Sequence, residues 1–313
     1  MSLEKNLDAQ TLLNKIVLDF MKQQRHQRYW TWFKRIIFVL LIGIVISQVV
    51  LDLIEEKQMQ LRPHVGLINI KGEIGDSNVA SSDNFSKSMD KAYKSQNLKA
   101  VILRINSPGG SPVQADYMFN LIQYYRQKYP STPVYAVCAD SCTSAAYYIA
   151  AAAEKIYANP ASIVGSIGVV YNGFGFEGLI EKLGVSRRLM TAGKNKGILD
   201  PFSPESPAQK ELMQKMLNEI HEQFIARVKE GRGNLLKVDN NTFSGLPWTG
   251  KDALAQGLID GFASTGDLVR QKIKVEDVID YTEKPSVVEQ FSKNVGAQLN
   301  LDVGSLSNLG HLN

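Results

Sequence analysis

PVYAVCADSCTSAAYYIAAAAEKIYA, residues 133–158, is the stretch that decides the fold. It opens on an apolar run at 133–139, crosses a polar turn at 140–144 and enters an alanine-rich segment over 144–153. It then resumes strand character at KIYA, 155–158. Strands that are apolar throughout, rather than alternating, belong to a parallel sheet covered on both faces. Strand, turn, helix and strand in this order is one winding of such a sheet.

The pattern continues in both directions. VGLINIKGEI (65–74), AVILRI (100–105) and SIGVVY (166–171) predict further strands, and helices fit 84–96, 112–128 and 176–183. SRRLM (186–190) reads as a strand entering the polar loop TAGKNKGILDPFSP (191–204). A long amphipathic helix is expected over 206–230, with Leu212, Met213, Met216, Leu217, Ile220, Phe224 and Val228 on its apolar side. Another helix is expected over 250–258, closed by Gly257 or Gly261. Open sheets of this kind carry their sites at the carboxyl ends of the strands. That directs attention to the loops at 106–111 and 140–144.

Upstream, FKRIIFVLLIGIVISQVVL (33–51) has no charged residue from Ile36 onward. Trp32 and Phe33 extend it into an interfacial zone, and the whole reads as a transmembrane helix. Arg25, Arg28, Lys34 and Arg35 precede it, whereas Asp52, Glu55 and Glu56 follow. The positive-inside rule then leaves the N-terminus in the cytoplasm and the large C-terminal part outside. No small-residue cleavage pattern follows the apolar run, so a signal-anchor is the expectation. The division expected is a basic tail (1–35), a signal-anchor (36–53), a linker (54–64), a catalytic domain (65–275) and a C-terminal tail (276–313), without strong periodicity from about 285. In the tail, Leu12, Leu13, Ile16, Val17 and Phe20 recur with helical spacing.

With 313 residues, 44% of them hydrophobic, the chain is able to bury a sizeable core. Residues 1–35 hold seven basic and three acidic side chains, which accounts for the whole net charge of +4. A nucleic-acid binder would place its positive charge on the folded domain, so nucleic acid is not the expected partner. Cys138 and Cys142 form no disulfide framework. The four histidines, His26, His64, His221 and His311, are scattered, and no H-E-x-x-H sequence supports a metal site. No cofactor is implied.

The same scarcity of histidine bears on hydrolysis. A Ser-His-Asp arrangement needs a histidine beside the serine, but a lysine can act as base where burial disfavours its charged form. Gly109-Gly110 follows a strand without G-K-[ST], so it is no P-loop, yet amides in such a turn can face an oxyanion. Among Ser141, Thr143 and Ser144, residue physics alone does not choose the nucleophile. Ser144 stands where strand gives way to helix, and it could equally serve as an N-cap.

NSPGG (106–110), CTSAAYYIAAAAEKIYANPASIVGSIGV (142–169) and GKNKGILDPF (193–202) resemble, in this order, motifs of family S49 peptidases of the SppA/SohB type. The resemblance spans about residues 65–275. It implies a ClpP/crotonase-like α/β fold and a Ser-Lys dyad with Ser144 as nucleophile and Lys196 as base, Lys194 being the competing register. It further implies Ser166 as the lysine-orienting hydroxyl, and amides of Gly109 and Ala145 as the oxyanion hole. The family commonly has Ser-Gly-Gly-Tyr-Tyr where this chain has Ser144-Ala145-Ala146-Tyr147-Tyr148, which would strain a glycine-dependent backbone. Substrates implied are released signal peptides or other short apolar peptides, cleaved at the outer face of a bacterial inner membrane. The partners implied are the lipid bilayer and further copies of the chain in a ring, where neighbours share dyads. A catalytically silent scaffold and a crotonase-like acyl-CoA enzyme are the rival readings.

Overall fold

The computed structural model describes residues 2–284. Residues 285–313 lie outside the described part, as do some side chains of the first helix, including those of Leu12, Leu13, Ile16, Val17, Phe20, Asp52, Glu55 and Glu56. Two compact units divide the chain at residue 59.

The first unit is one helix, α1 (Ser2–Gln60). Within it Tyr29–Leu51 is long and apolar enough to cross a membrane. At 1.5 Å per residue these 23 residues extend about 35 Å, against about 30 Å of hydrocarbon. Lys34 lies over the Trp30 ring and Arg35 over the Trp32 ring, at 5.5 and 5.9 Å from the ring centres. The linker expected at 54–64 is helical as far as Gln60, because DLIEEKQMQ contains no glycine or proline to stop it.

The second unit is a mostly parallel sheet. Its strands are β1 (His64–Lys71), β2 (Leu98–Ser107), β3 (Val134–Thr143), β4 (Lys155–Ala158), β5 (Ile163–Gly165), β6 (Pro247–Thr249), β7 (Gly261–Phe262) and β8 (Asp277–Asp280). The main path runs β6-β5-β3-β2-β1-β8, with β4 paired to β3 and β7. Among the described residues only the β5–β6 pair is antiparallel. The helices are α2 (Ser82–Lys94), α3 (Pro112–Lys128), α4 (Ala145–Ala151), α5 (Glu177–Lys182), α6 (Pro207–Arg232), α7 (Gly250–Ala255) and α8 (Thr265–Asp267), the last continued by a π-helical segment, Leu268–Ile273. This is the mostly parallel, helix-covered α/β sheet expected from the sequence.

The central strands are buried because both faces are covered. Val101, Leu103 and Ile105 of β2 are fully buried, as are Ile122 of α3 and Ile149 of α4. On the opposite face Val65, Ile102, Val137 and Tyr157 pack against Leu268 and Val269. Strand β3 changes neighbours along its length. Tyr135–Cys138 pairs with β4, and after an irregularity Ser141–Thr143 pairs with β5. That change opens the sheet at the polar turn.

Three expectations are corrected. SIGVVY (166–171) and SRRLM (186–190) are not strands; regular pairing stops at Gly165, and from Ser166 to Ser206 the one short helix is α5. A strand needs a neighbour for its amides, and this segment has none in the single chain. The amphipathic helix is present as α6, but its N-terminal half is uncovered: Leu212 and Met216 are exposed, whereas Phe224 and Val228 are buried. The domain does not close at 275 either, since β8 adds to the edge of β1.

Candidate active site

The site is built where β3 runs into α4. Ser144 joins them with φ +54° and ψ −128°, a conformation that L residues seldom adopt. Its N–H donates to Gly165 O at 2.8 Å, which fixes the corner to the end of β5. The Ser144 hydroxyl makes no hydrogen bond among the described residues. Its two competitors are engaged: Ser141 Oγ donates to Ser107 O at 3.3 Å, and Thr143 Oγ1 donates to Pro108 O at 3.0 Å. The sharp strand-to-helix corner and the free hydroxyl single out Ser144.

Helix α4 is buried along all seven residues and held from both sides. Tyr147 OH donates to Leu258 O at 2.7 Å, and Tyr148 OH donates to Asp116 Oδ1 at 2.8 Å. Burial pushes both phenols well above their ordinary range, so each remains a donor at neutral pH. Asp116 also takes Arg227 Nε of α6 at 3.0 Å. Neither Ala145 nor Ala146 has positive φ. The departure from Ser-Gly-Gly therefore strains nothing: both alanines are helical.

Gly109 and Ala145 come together as expected. A Cβ built on Gly109, at φ +112°, would lie 2.7 Å from Ser144 Cβ and 3.1 Å from Ala145 N. The Ala145 amide is the first of α4 and has no acceptor within the helix. The Gly109 amide is occupied, donating to Ser107 Oγ at 3.1 Å. Gly110 is fixed by another contact, since a Cβ there would lie 2.1 Å from Ile74 O. Asn106, read from sequence only as part of NSPGG, has a role that the motif did not reveal. Its Nδ2 donates to Asp140 Oδ2 at 2.8 Å and its Oδ1 accepts Ser141 N at 3.1 Å, which pins the polar turn.

The remaining predicted residues make no hydrogen bond to Ser144 among the described residues. Ser166 lies just beyond β5, with φ +51°, and its hydroxyl donates to Gly245 O at 3.0 Å rather than to a lysine. Lys196 lies in the turn opened by Gly193, whose carbonyl accepts Lys196 N at 3.1 Å. Its side chain is exposed and makes no hydrogen bond or ion pair among the described residues; Lys194 is exposed too. The segment that carries them also bares Val170, 84% exposed, and Met190, 94% exposed. His221, set aside as a base, has Nε2 3.0 Å from Ile167 O. Cys138 and Cys142 are free and buried. No cluster able to hold a metal ion occurs among the described residues.

A serine on a strand-to-helix corner, beside a glycine turn and a free helix amide, is the local arrangement of a nucleophile elbow. The comparisons narrow it. The profile of peptidase family S49 matches residues 126–278. The Na(+)/H(+) antiporter NhaA of Brucella abortus (strain 2308) is 43% identical over 183 residues, 58% of this chain but 25% of that protein. The putative protease MJ0651 of Methanocaldococcus jannaschii is 33% identical over 201 residues, 64% of this chain and 62% of that one. The putative signal peptide peptidase SppA of Enterococcus faecium is 27% identical over 215 residues, 67% and 62% of the two chains. The chain thus spans less than two thirds of each of these relatives. Residues 126–278 thus match peptidase family S49, and the chain is similar to proteases of the SppA type.

Proposed function

We propose that this chain is a membrane-anchored serine endopeptidase in which Ser144 is the nucleophile and Lys196 of a neighbouring protomer is the base. The observation that carries the reading is the free Ser144 hydroxyl on a strained corner, beside the Ala145 amide, inside an S49 domain. Neutral Lys196 takes the hydroxyl proton as Ser144 Oγ bonds to a peptide carbonyl carbon. The oxyanion so formed accepts hydrogen bonds from the amides of Ala145 and Gly109. The lysine returns the proton to the leaving amine as the C–N bond breaks, and water then releases the acyl group.

The exposure of Lys196 and of the apolar side chains around it favours assembly before chemistry. Burial in an interface would disfavour a lysine's charged form, which is what a general base requires. Ser166, at the end of β5, would orient the amine there. The apolar span of α1 favours a bilayer anchor, and its basic flank favours an inner-membrane protein with the catalytic unit outside. Released signal peptides and other short apolar segments are the substrates this placement favours. The test is hydrolysis of an apolar reporter peptide by the full chain in detergent micelles, against Ser144→Ala, Lys196→Ala and Lys194→Ala. Loss in the first two alone supports the dyad; equal turnover in all four excludes it; loss in Lys194→Ala with retention in Lys196→Ala moves the base to Lys194.

A further inference from the structure

The Pro108–Gly109 peptide is held from both edges. Its carbonyl accepts the Thr143 hydroxyl at 3.0 Å, and its N–H donates to Ser107 Oγ at 3.1 Å. The carbonyl and N–H of a trans peptide point in opposite directions, and no cis bond occurs among the described residues. Two hydroxyls therefore fix one orientation of this plane. Ser107 is fully buried, and its carbonyl takes the Ser141 hydroxyl, which also lies 3.3 Å from Thr143 Oγ1. Yet Gly109 stands where an oxyanion donor belongs, against Ser144 and Ala145 N. The residue is in place and its amide is turned elsewhere.

We infer that Ser107 and Thr143 form a hydroxyl latch that keeps the Gly109 amide off the oxyanion until the Pro108–Gly109 peptide turns. The inference rests on Ser144 as nucleophile with Gly109 and Ala145 as donors. Turning the peptide gives up two neutral hydrogen bonds and gains one to a charged oxygen, which is the stronger kind. A neutral substrate carbonyl offers no such gain, so the latch opens only as negative charge develops. Such a device withholds one donor from the ground state and supplies it to the transition state. Glycine at 109 and 110, with φ +112° and +144°, lets the chain follow the rotation without a Cβ in the way. Ser107 and Thr143 are positioning residues, since they act through the Pro108–Gly109 peptide.

The test uses the full chain in micelles, labelled with 15N-glycine, as wild type, Ser107→Ala and Thr143→Val. Hydrogen exchange at the Gly109 amide needs no turnover. In Ser107→Ala it is expected to speed up about fivefold, the fold-change of one neutral hydrogen bond, while Gly66 in β1 keeps its protection. A peptide aldehyde, which forms the tetrahedral adduct, is expected to bind about fivefold more tightly to either variant, with KM for a peptide ester unchanged. Unaltered Gly109 exchange in Ser107→Ala overturns the latch. So does weaker aldehyde binding in both variants with Gly66 still protected, because the hydroxyls would then build the oxyanion hole instead of withholding it. A wild-type chain that never acylates removes the peptidase reading, and Gly109 exchange still judges the latch.

Discussion

At Ser144 the backbone occupies a region that costs a non-glycine residue about 1–3 kcal/mol. The corner persists because Gly165 O holds the Ser144 amide and the buried helix α4 follows at once. Ser144→Gly should therefore raise Tm while removing peptide hydrolysis, by a stability gain of about 1 kcal/mol measurable in thermal unfolding. A protein stabilised for function rather than strained for it would lose stability in the same variant. Gly110→Ala should act oppositely, since its Cβ would meet Ile74 O; lowered Tm and lost hydrolysis are expected together. Much at this scale was legible in the sequence. NSPGG and the Ser-Ala-Ala-Tyr-Tyr run named Gly109, Ser144 and Ala145, which the structure brings together. The hydroxyl partners of Ser141 and Thr143 were not legible, because they depend on how β2 and β3 are offset after Ile105.

The elements around α4 transmit their hold through few groups. Arg232, at the end of α6, is buried; its Nε donates to Gly257 O at 3.0 Å and its Nη1 to Asp260 Oδ2 at 2.7 Å. Burial acts to raise the Asp260 carboxyl, but the Arg232 guanidinium, the Ile156 amide and Lys155 outweigh it and hold it below the ordinary range. Asp260→Asn should cost about 3 kcal/mol, because it leaves a buried guanidinium unpaired. A depressed carboxyl contributes fully above its unfolded value, about 3.9 for aspartate, and the contribution is lost as pH falls through the lower folded value. The stability difference between wild type and Asp260→Asn should thus be constant at neutral pH and shrink below about pH 4, as followed by urea unfolding. A difference that grows on acidification contradicts this pairing. Helices and central strands matched the sequence reading closely, α3 and β4 to the residue. SIGVVY and SRRLM failed because apolar composition gives strand propensity without supplying a partner strand.

For the whole molecule, the segment between β5 and α6 is a second apolar display in addition to the span of α1. Val170, Phe174, Leu183 and Met190 face solvent in the single chain, near a lysine with nothing to act on. Exposed apolar side chains of this number mark a candidate interaction surface. Val170→Asp with Met190→Asp should shift the chain toward monomer in sizing experiments and lower peptide turnover by at least tenfold. Monomers with full turnover contradict the sharing of sites. Sequence motifs pointed to the lysine and the serine, but not to the exposure of Lys196 in the single chain. That exposure follows from the loop of turns over 193–203, where no sheet pairing covers the side chains.

The central claim is that Ser144 is a nucleophile completed by Lys196 of another protomer. Mixing Ser144→Ala chains with Lys196→Ala chains, each inactive alone, tests it most directly, with a fluorophosphonate probe and peptide mapping as the readout. Shared sites predict that mixed oligomers regain peptide hydrolysis and carry the probe on Ser144 of the Lys196→Ala chains. Mixed oligomers that form but neither hydrolyse peptide nor take the probe at Ser144 would contradict the account.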